Sequence, residues 1–238
     1  MSALRWSYMD HWRADTPRGP MTQYGSRRLM DDFVKQISAV GFEGLDMFDF
    51  QVYGLTQMFG SVEKYQEYLQ DHGIAKIVNL FRGIKVAMHV DFLSALRAGD
   101  HLDRLLGATD PDLAGIALDT AELAVAGIDP VAFYRRYADR VVHVQVKNAR
   151  QADFRGEYSL AHADLNLLRG GGSYGEQRWF HDLGISGGLV DIARFLAELD
   201  ASGYDGWRIV ESDHSPHPAE TAMHNSWFLR HVVGVKRS

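Results

Sequence analysis

Short apolar runs alternate with amphipathic segments along the whole chain. Residues 26–40 predict a helix, because Leu29, Phe33 and Ile37 recur at a spacing that places them on one helical face. Similar patterns predict helices over 62–71, 102–106, 130–138, 189–201 and 219–232, and strands over 4–9, 42–48, 74–81, 84–91, 115–119, 141–147 and 207–211. Strands that alternate with helices are typical of a parallel sheet built from βαβ units.

These seven strands are one fewer than a closed (β/α)8 barrel contains. Arg82-Gly83 is too short for the crossover of about a dozen residues that two parallel strands need. The sequence therefore predicts an α/β barrel, a single domain over residues 1–238, with one strand and two helices missing at the Phe81/Arg82 junction. We favour a segment absent from this sequence over two alternatives, an incomplete barrel and a tight antiparallel hairpin.

One long stretch, residues 148–187, shows little periodicity. Its central part, 151–183, contains Gly170-Gly171-Gly172, but it lacks the strand and helix that flank a phosphate-binding loop. Long irregular segments of compact domains are usually functional loops, so we expect this one to lie over the carboxyl ends of the strands. The alternative is an insertion without a role.

Composition and charge exclude or disfavour several classes of molecule that the protein could bind. The net charge is −6 and no block of Lys or Arg occurs, which disfavours binding to nucleic acid. No apolar run approaches the ~18 residues of a membrane span, and the amino terminus does not resemble a secretory signal. We therefore expect a cytoplasmic protein that does not contact a membrane. The absence of cysteine excludes thiolate metal sites.

Polar side chains occur at the carboxyl ends of four predicted strands. Residues two apart in a strand share a face, so strand 141–147 places His143, Gln145 and Lys147 on one face and three valines on the other. The polar strand-end residues are His89, Asp91, Asp119, His143, Gln145, Lys147 and Glu211. Barrel enzymes bind ligands at this end, and carboxylate and amide oxygens with at most one imidazole suit Mn²⁺ or Mg²⁺. Taken singly, each residue could instead be a hydrogen-bonded core residue or a helix cap.

Three stretches share a resemblance to one family. Residues 115–150 read GIALDTAELAVAGIDPVAFYRRYADRVVHVQVKNAR, residues 33–48 read FVKQISAVGFEGLDMF, and residues 186–213 read SGGLVDIARFLAELDASGYDGWRIVESD. They resemble the sixth-to-seventh strand region, the opening helix and second strand, and the last repeat of the xylose-isomerase-like barrels. These are the sugar phosphate isomerases and epimerases. The resemblance implies the same barrel and a sugar substrate.

The resemblance also implies a set of metal ligands. The family uses Glu, Asp, His and Glu on its fifth to eighth strands. Asp119 and Glu211 match two of these, and Gln145 stands where the family has His. The fifth-strand Glu falls at or near His89, with Asp91 two residues further on the same face. We predict Asp91, Asp119, Gln145 and Glu211 as ligands of a divalent metal, with Mn²⁺ favoured over Mg²⁺.

Two further departures weigh against the aldose–ketose chemistry of typical members: Asn148 replaces a family Asp, and Glu122 replaces a family His. One branch fits better. Residues 8–13 (YMDHWR), 41–50 (GFEGLDMFDF) and 83–89 (GIKVAMH) resemble the catalytic subunits of bacterial C-glycoside deglycosidases. That resemblance implies a 3-oxo C-glucoside substrate and a smaller second subunit; a homo-oligomer is the alternative.

Both versions of the family share one chemical step. A metal polarises a sugar carbonyl and stabilises the enolate formed when a neighbouring proton is removed, and histidine suits the role of base. We predict His89 as this base, the alternative being Asp91 as base with His89 as ligand, and His143, Lys147 and His11 as substrate-binding residues. The predicted function is cleavage of the C–C glycosidic bond of 3-oxo C-glucosides. The alternatives are an isomerase or epimerase of a free keto-sugar or inositol derivative, and a non-catalytic assembly subunit.

Overall fold

A computed structural model describes residues 4–6, 27–47, 58–74, 76–79, 81–82, 85–90, 96, 99–150, 180–212 and 218–235. His11, Asp91 and residues 151–179 of the predicted loop lie outside the described residues. The chain divides into two compact units, Met1–Leu80 with Ile209–Ser238, and Phe81–Arg208. A single domain over 1–238 stays a prediction.

In its described residues, the first unit contains a parallel sheet and three helices. Its strands are β1 (Leu4–Trp6), β2 (Gly44–Met47), β3 (Lys76–Asn79) and β10 (Arg208–Ser212), in the order β3–β2–β1–β10. Its helices are α1 (Arg27–Ala39), α2 (Val62–Asp71) and α7 (Pro218–Phe228), the last continuing as a π-helical turn over Leu229–Val233. Ser226 and Arg230 both donate to the backbone oxygen of Val40, which anchors this final helix to the end of α1.

The second unit holds strands β4 (Phe81–Arg82), β5 (Lys85–His89), β6 (Ala114–Asp119) and β7 (Val141–Val146). Strands β5, β6 and β7 are parallel neighbours, and β4 is antiparallel to β5. The helices are α3 (His101–Gly107), α4 (Thr120–Val125), α5 (Pro130–Tyr137) and α6 (Ile192–Ala201). A separate antiparallel pair joins β8 (Asn148–Ala149) to β9 (Phe180–His181).

Aspartate residues begin three of these helices, and one of them, Asp119, is also the last residue of β6. Asp119, Asp129 and Asp191 each accept a hydrogen bond from a backbone N–H in the first turn of α4, α5 and α6. Such caps satisfy donors that have no partner within the helix. Gly115 serves the sheet differently, since a Cβ there would lie 2.8 Å from the backbone oxygen of Arg140 and from Val142. This close approach coincides with a register shift between β6 and β7.

The strand count is confirmed in the part of the chain that the structure describes. Seven strands have a parallel neighbour there: β1, β2, β3, β5, β6, β7 and β10. The predicted strand 74–81 is wrong past Asn79, because Phe81–Arg82 pairs antiparallel with Lys85–Val86. Two intervening residues are enough for an antiparallel pair but not for a parallel crossover. A missing strand and two missing helices at this junction stay a prediction.

The sequence prediction lacks three elements, helix α4 and strands β8 and β9. Helix α4 has six residues, too few to show a hydrophobic period. The predicted loop 148–187 is wrong at 148–149 and 180–181, which pair as β8 and β9. A two-residue strand carries no alternation of its own, so only its pairing with a distant segment reveals it.

Candidate active site

The register of three neighbouring strands places the predicted site residues in layers. His89 of β5 and His143 of β7 are both register partners of Ala117, and Asp119 of β6 is the partner of Gln145 of β7. Register partners on parallel strands point to the same side of a sheet. Ala117 has only a methyl group, so the longer side chains on either side of β6 can approach each other.

Three of the predicted residues meet at these strand ends. His89 Nε2 donates to Gln145 Oε1 at 2.6 Å and lies 3.8 Å from Asp119 Oδ2. Asp119 is 1% exposed and Gln145 is 0% exposed, whereas the His89 side chain is 26% exposed. The structure therefore brings together the predicted base and two predicted metal ligands, with the imidazole as the accessible member.

The Asp119 carboxylate is held in a fixed orientation. Its Oδ1 accepts from the backbone N–H of Ala121 at 2.8 Å and of Glu122 at 3.0 Å, which caps α4. Burial alone would raise its pKa, but the ammonium of Lys147 and the imidazole of His89 lower the pKa of Asp119 below its ordinary value. Asp119 is thus an anion whose Oδ2 faces the other polar groups of the site.

Lys147 is almost fully buried and is surrounded by internal partners. Its Nζ lies 3.3 Å from Asp119 Oδ2, 3.4 Å from Glu122 Oε1 and 3.7 Å from the centre of the Phe180 ring. Thr120 Oγ1 donates to the backbone oxygen of Lys147 at 2.7 Å and accepts from its N–H at 2.9 Å. Substrate binding by Lys147 stays a prediction; the contacts described are with the protein itself.

The remaining predicted site residues are His143, Glu211, His11 and Asp91. His143 is buried in the same layer as His89, and Glu211 is buried in β10 of the first unit, where its register partner is Arg5. His11 and Asp91 lie outside the described residues. The substrate-binding role of His143 and the ligand role of Glu211 stay predictions.

Sequence reasoning gave no role to Asn148 beyond its departure from the family. Its Nδ2 donates to the backbone oxygens of Leu183 and Val190, at 2.9 and 3.2 Å, and its Oδ1 accepts from the N–H of Ala149 and Val190. Only an amide can donate and accept in this way. Asn148 therefore anchors the segment that follows β9, and Phe180 of β9 covers Lys147. The segment after β9 and Phe180 lie more than 30 residues from Asn148 and Lys147 along the chain, so the sequence alone does not predict these contacts.

Glu122, which replaces a family His, is the second residue for which the sequence predicted no role. An acidic residue in the first turn of a helix is usually explained by the helix dipole alone. In this chain it also contacts the Lys147 ammonium.

The possible ligand atoms of this cluster are of the chemical type that binds a hard divalent cation. Asp119 Oδ2, Gln145 Oε1 and the His89 imidazole are oxygen and nitrogen donors of the kind that Mn²⁺ and Mg²⁺ accept. Gln145 Nε2 is buried and has no hydrogen-bond partner among the described residues, so the amide is not held by contacts at both ends. Within those same residues, no group of three or more His, Asp and Glu side chains forms a metal cluster. Asp91 lies outside the described residues, and Gln145 is an amide rather than a His, Asp or Glu side chain.

Comparison with known proteins decides the family. The model of the xylose isomerase-like TIM barrel matches residues 67–231, more than half of the chain. The chain belongs to this family. The α/β barrel class predicted from the sequence is thereby confirmed, and the match includes β5, β6 and β7 with the cluster around Asp119.

Several curated relatives that match are inosose dehydratases. An inosose dehydratase of Lacticaseibacillus casei is 29% identical over 159 residues, which are 66% of this chain and 50% of the relative. An inosose dehydratase of Geobacillus kaustophilus is 31% identical over 161 residues, 63% of this chain and 47% of the relative. The chain thus spans about half the length of the curated relatives it matches.

A solved structure supports the fold over nearly the whole chain. A probable 3-DHS dehydratase from Bacillus anthracis aligns with a TM-score of 0.65 at 14% identity, covering 96% of this chain and 98% of that one. No helix in the described parts of the chain is long and apolar enough to span a membrane.

Proposed function

We propose that this chain is part of a metal-dependent enzyme that removes a proton next to the carbonyl group of a keto-sugar or a keto-inositol. One observation carries the proposal: His89, Gln145 and Asp119 meet at the carboxyl ends of neighbouring strands. This is the end at which barrel enzymes place their chemistry. The similarity to inosose dehydratases favours a keto-inositol or free keto-sugar over the 3-oxo C-glucoside that the sequence first suggested.

His89 is the proposed base. It is the accessible member of the cluster, and the Asp119 carboxylate 3.8 Å away stabilises the imidazolium that forms when the ring accepts a proton. Because Nε2 donates to Gln145 Oε1, the lone pair of the neutral ring is on Nδ1. Gln145 thereby fixes the tautomer of the base.

Asp119 and Gln145 are the proposed metal ligands, together with Glu211 and Asp91 from the sequence prediction. The family typically depends on a metal ion. A bound divalent cation would polarise the substrate carbonyl and so acidify the neighbouring C–H bond. Mn²⁺ is the first candidate and Mg²⁺ the second, as expected for oxygen-rich ligands.

The same first step can lead to two eliminations. Removal of the proton leaves the electron pair of its C–H bond in an enolate. When the carbonyl re-forms its π bond, the electrons of the enolate C=C bond form a double bond to the next carbon, and a group on that carbon departs with the electrons of its bond. If that group is a hydroxyl, protonated on leaving, the reaction is a dehydration of a keto-inositol. If it is the carbon substituent at C1 of a 3-oxo glucoside, the reaction is a C–C cleavage. The leaving group, not the cluster around His89, distinguishes these reactions.

The experiment follows proton removal directly. The purified protein with Mn²⁺ is incubated in D₂O with a keto-inositol and, separately, with a 3-oxo C-glucoside, and NMR records deuterium exchange, water loss and aglycone release. We expect exchange and dehydration with the keto-inositol, reduced about 10²–10⁴-fold in His89→Gln. The exposed His101→Gln serves as a matched control and should retain activity.

Other outcomes identify the alternatives. Release of aglycone would restore the deglycosidase reading, and re-formed epimeric sugar would indicate an epimerase. No exchange with any keto-sugar, and no stoichiometric Mn²⁺, would support the non-catalytic assembly role and overturn the proposal. The smaller second subunit and the homo-oligomer remain predictions that sedimentation of the purified protein would check.

A further inference from the structure

We infer that the buried pair of Lys147 and Glu122 sets the cation affinity of Asp119, because the ammonium of Lys147 competes with a bound metal for the same carboxylate oxygen. The inference rests on the proposed metal dependence. It concerns residues that are not themselves proposed as metal ligands.

The competition follows from how few acceptors Asp119 has left. Its Oδ1 already accepts from two backbone N–H groups of α4, so Oδ2 is the oxygen that remains for a cation. Lys147 Nζ lies 3.3 Å from this Oδ2. A metal at Asp119 would therefore share its ligand with a positive charge, and like charges repel strongly where little water screens them.

Lys147 is held in this position by its surroundings. Its backbone N–H and C=O both bond to Thr120 Oγ1, and the Phe180 ring lies 3.7 Å from its Nζ. The side chain is 2% exposed, so bulk water cannot replace the carboxylates as partners of the ammonium. The cation is thus a lasting part of the site.

Glu122 moderates the effect. Its Oε1 lies 3.4 Å from Lys147 Nζ, so the ammonium divides its attraction between two carboxylates. Removing the Glu122 charge would leave Lys147 facing Asp119 alone, and metal affinity should fall. Removing both charges would leave Asp119 to the metal, and affinity should rise.

Three variants test this pair by isothermal titration with Mn²⁺ alone, without substrate. We expect E122Q to bind Mn²⁺ about fivefold to tenfold more weakly than the wild type, and K147M/E122Q to bind at least about tenfold more tightly. The matched control is R135M/E198Q, which removes a similar ion pair from the surface of the same unit and leaves the net charge equal to that of K147M/E122Q. Its Mn²⁺ affinity should equal that of the wild type.

The outcomes separate this inference from the proposed function. Binding by the wild type with unchanged or weaker binding by K147M/E122Q would overturn the inference and leave the metal dependence intact. Binding by K147M/E122Q alone would support the inference. No binding by any variant would overturn both. Circular dichroism checks the folding of each variant. If K147M/E122Q does not fold, E122Q alone tests the inference. A Mn²⁺ affinity of E122Q equal to or above that of the wild type would then count against the inference.

Discussion

Strands β6 and β7 carry charged groups at both ends, and the two ends satisfy them differently. At the amino ends, the guanidinium of Arg140 donates to the backbone oxygens of Leu106 and Ala114, at 2.9 and 3.1 Å, and to Thr109 Oγ1 at 3.0 Å. At the carboxyl ends, Asp119 Oδ2 and the Lys147 ammonium lie beside other ionisable side chains, while Asp119 Oδ1 accepts from two backbone N–H groups.

The different partners indicate that the amino ends of the strands serve stability and the carboxyl ends serve chemistry. Backbone oxygens are neutral and do not change protonation, so the contacts of Arg140 fix the end of α3 to the start of β6. The carboxyl-end cluster contains a carboxylate, an ammonium and an imidazole, each able to exchange a proton or a cation partner. Barrel enzymes commonly divide their two ends in this way.

Asp119→Asn tests the carboxyl end and should give the largest effect of the four variants, a loss of activity. Asparagine still caps α4, so folding is retained, but the negative charge beside His89 and Lys147 is lost. We expect kcat/KM for the keto-inositol to fall at least about 10³-fold, with Mn²⁺ binding weakened in parallel. Steady-state kinetics measure kcat/KM, isothermal titration measures Mn²⁺ binding, and a thermal melt checks folding. Wild-type activity in this variant would remove Asp119 from the site.

Asn148→Asp tests whether every polar residue at the carboxyl end belongs to the chemistry. A carboxylate cannot donate to Leu183 and Val190, and it would face their two oxygens in a buried place. We expect the free energy of unfolding to fall by about 3 kcal/mol, measured by urea denaturation. Normal stability with lost activity would instead assign Asn148 to the active site.

Arg140→Met tests the amino end. The substitution removes three hydrogen bonds from a half-buried cation and leaves two backbone oxygens to find water. The free energy of unfolding should fall by about 2 kcal/mol, while kcat of the folded protein stays unchanged. A large fall in kcat at full stability would show that the division between the two ends is wrong.

Arg194→Met should have the smallest effect and serves as the reference for Arg140. Arg194 pairs with Asp129 at 2.9 Å, but the two side chains are 54% and 43% exposed. Exposed pairs of this kind contribute less than about 1 kcal/mol, so the unfolding midpoint should barely move. A loss as large as that of Arg140→Met would mean that position at the strand ends does not matter.

Some elements could be predicted because their causes are local. Helix α2 has the predicted bounds of 62–71, since Ser61 caps its first turn and Gly73, in a left-handed conformation, follows its end. Strand β6 ends at Asp119 as predicted, because the same aspartate starts α4. Helix α4 itself and the β8–β9 pair could not be predicted, because six residues and two residues are too short to show a period.

The candidate site also has features with local causes and features that depend on distant contacts. By itself, the sequence determined that His89, Asp119, Gln145 and Lys147 lie at strand ends, because residue type and a period of two are properties of each segment alone. Only the tertiary structure decided that His89 reaches Gln145 across β6 and that Phe180 covers Lys147. Those contacts join segments 33 or more residues apart, and they depend on strand register and on a short pairing far along the chain.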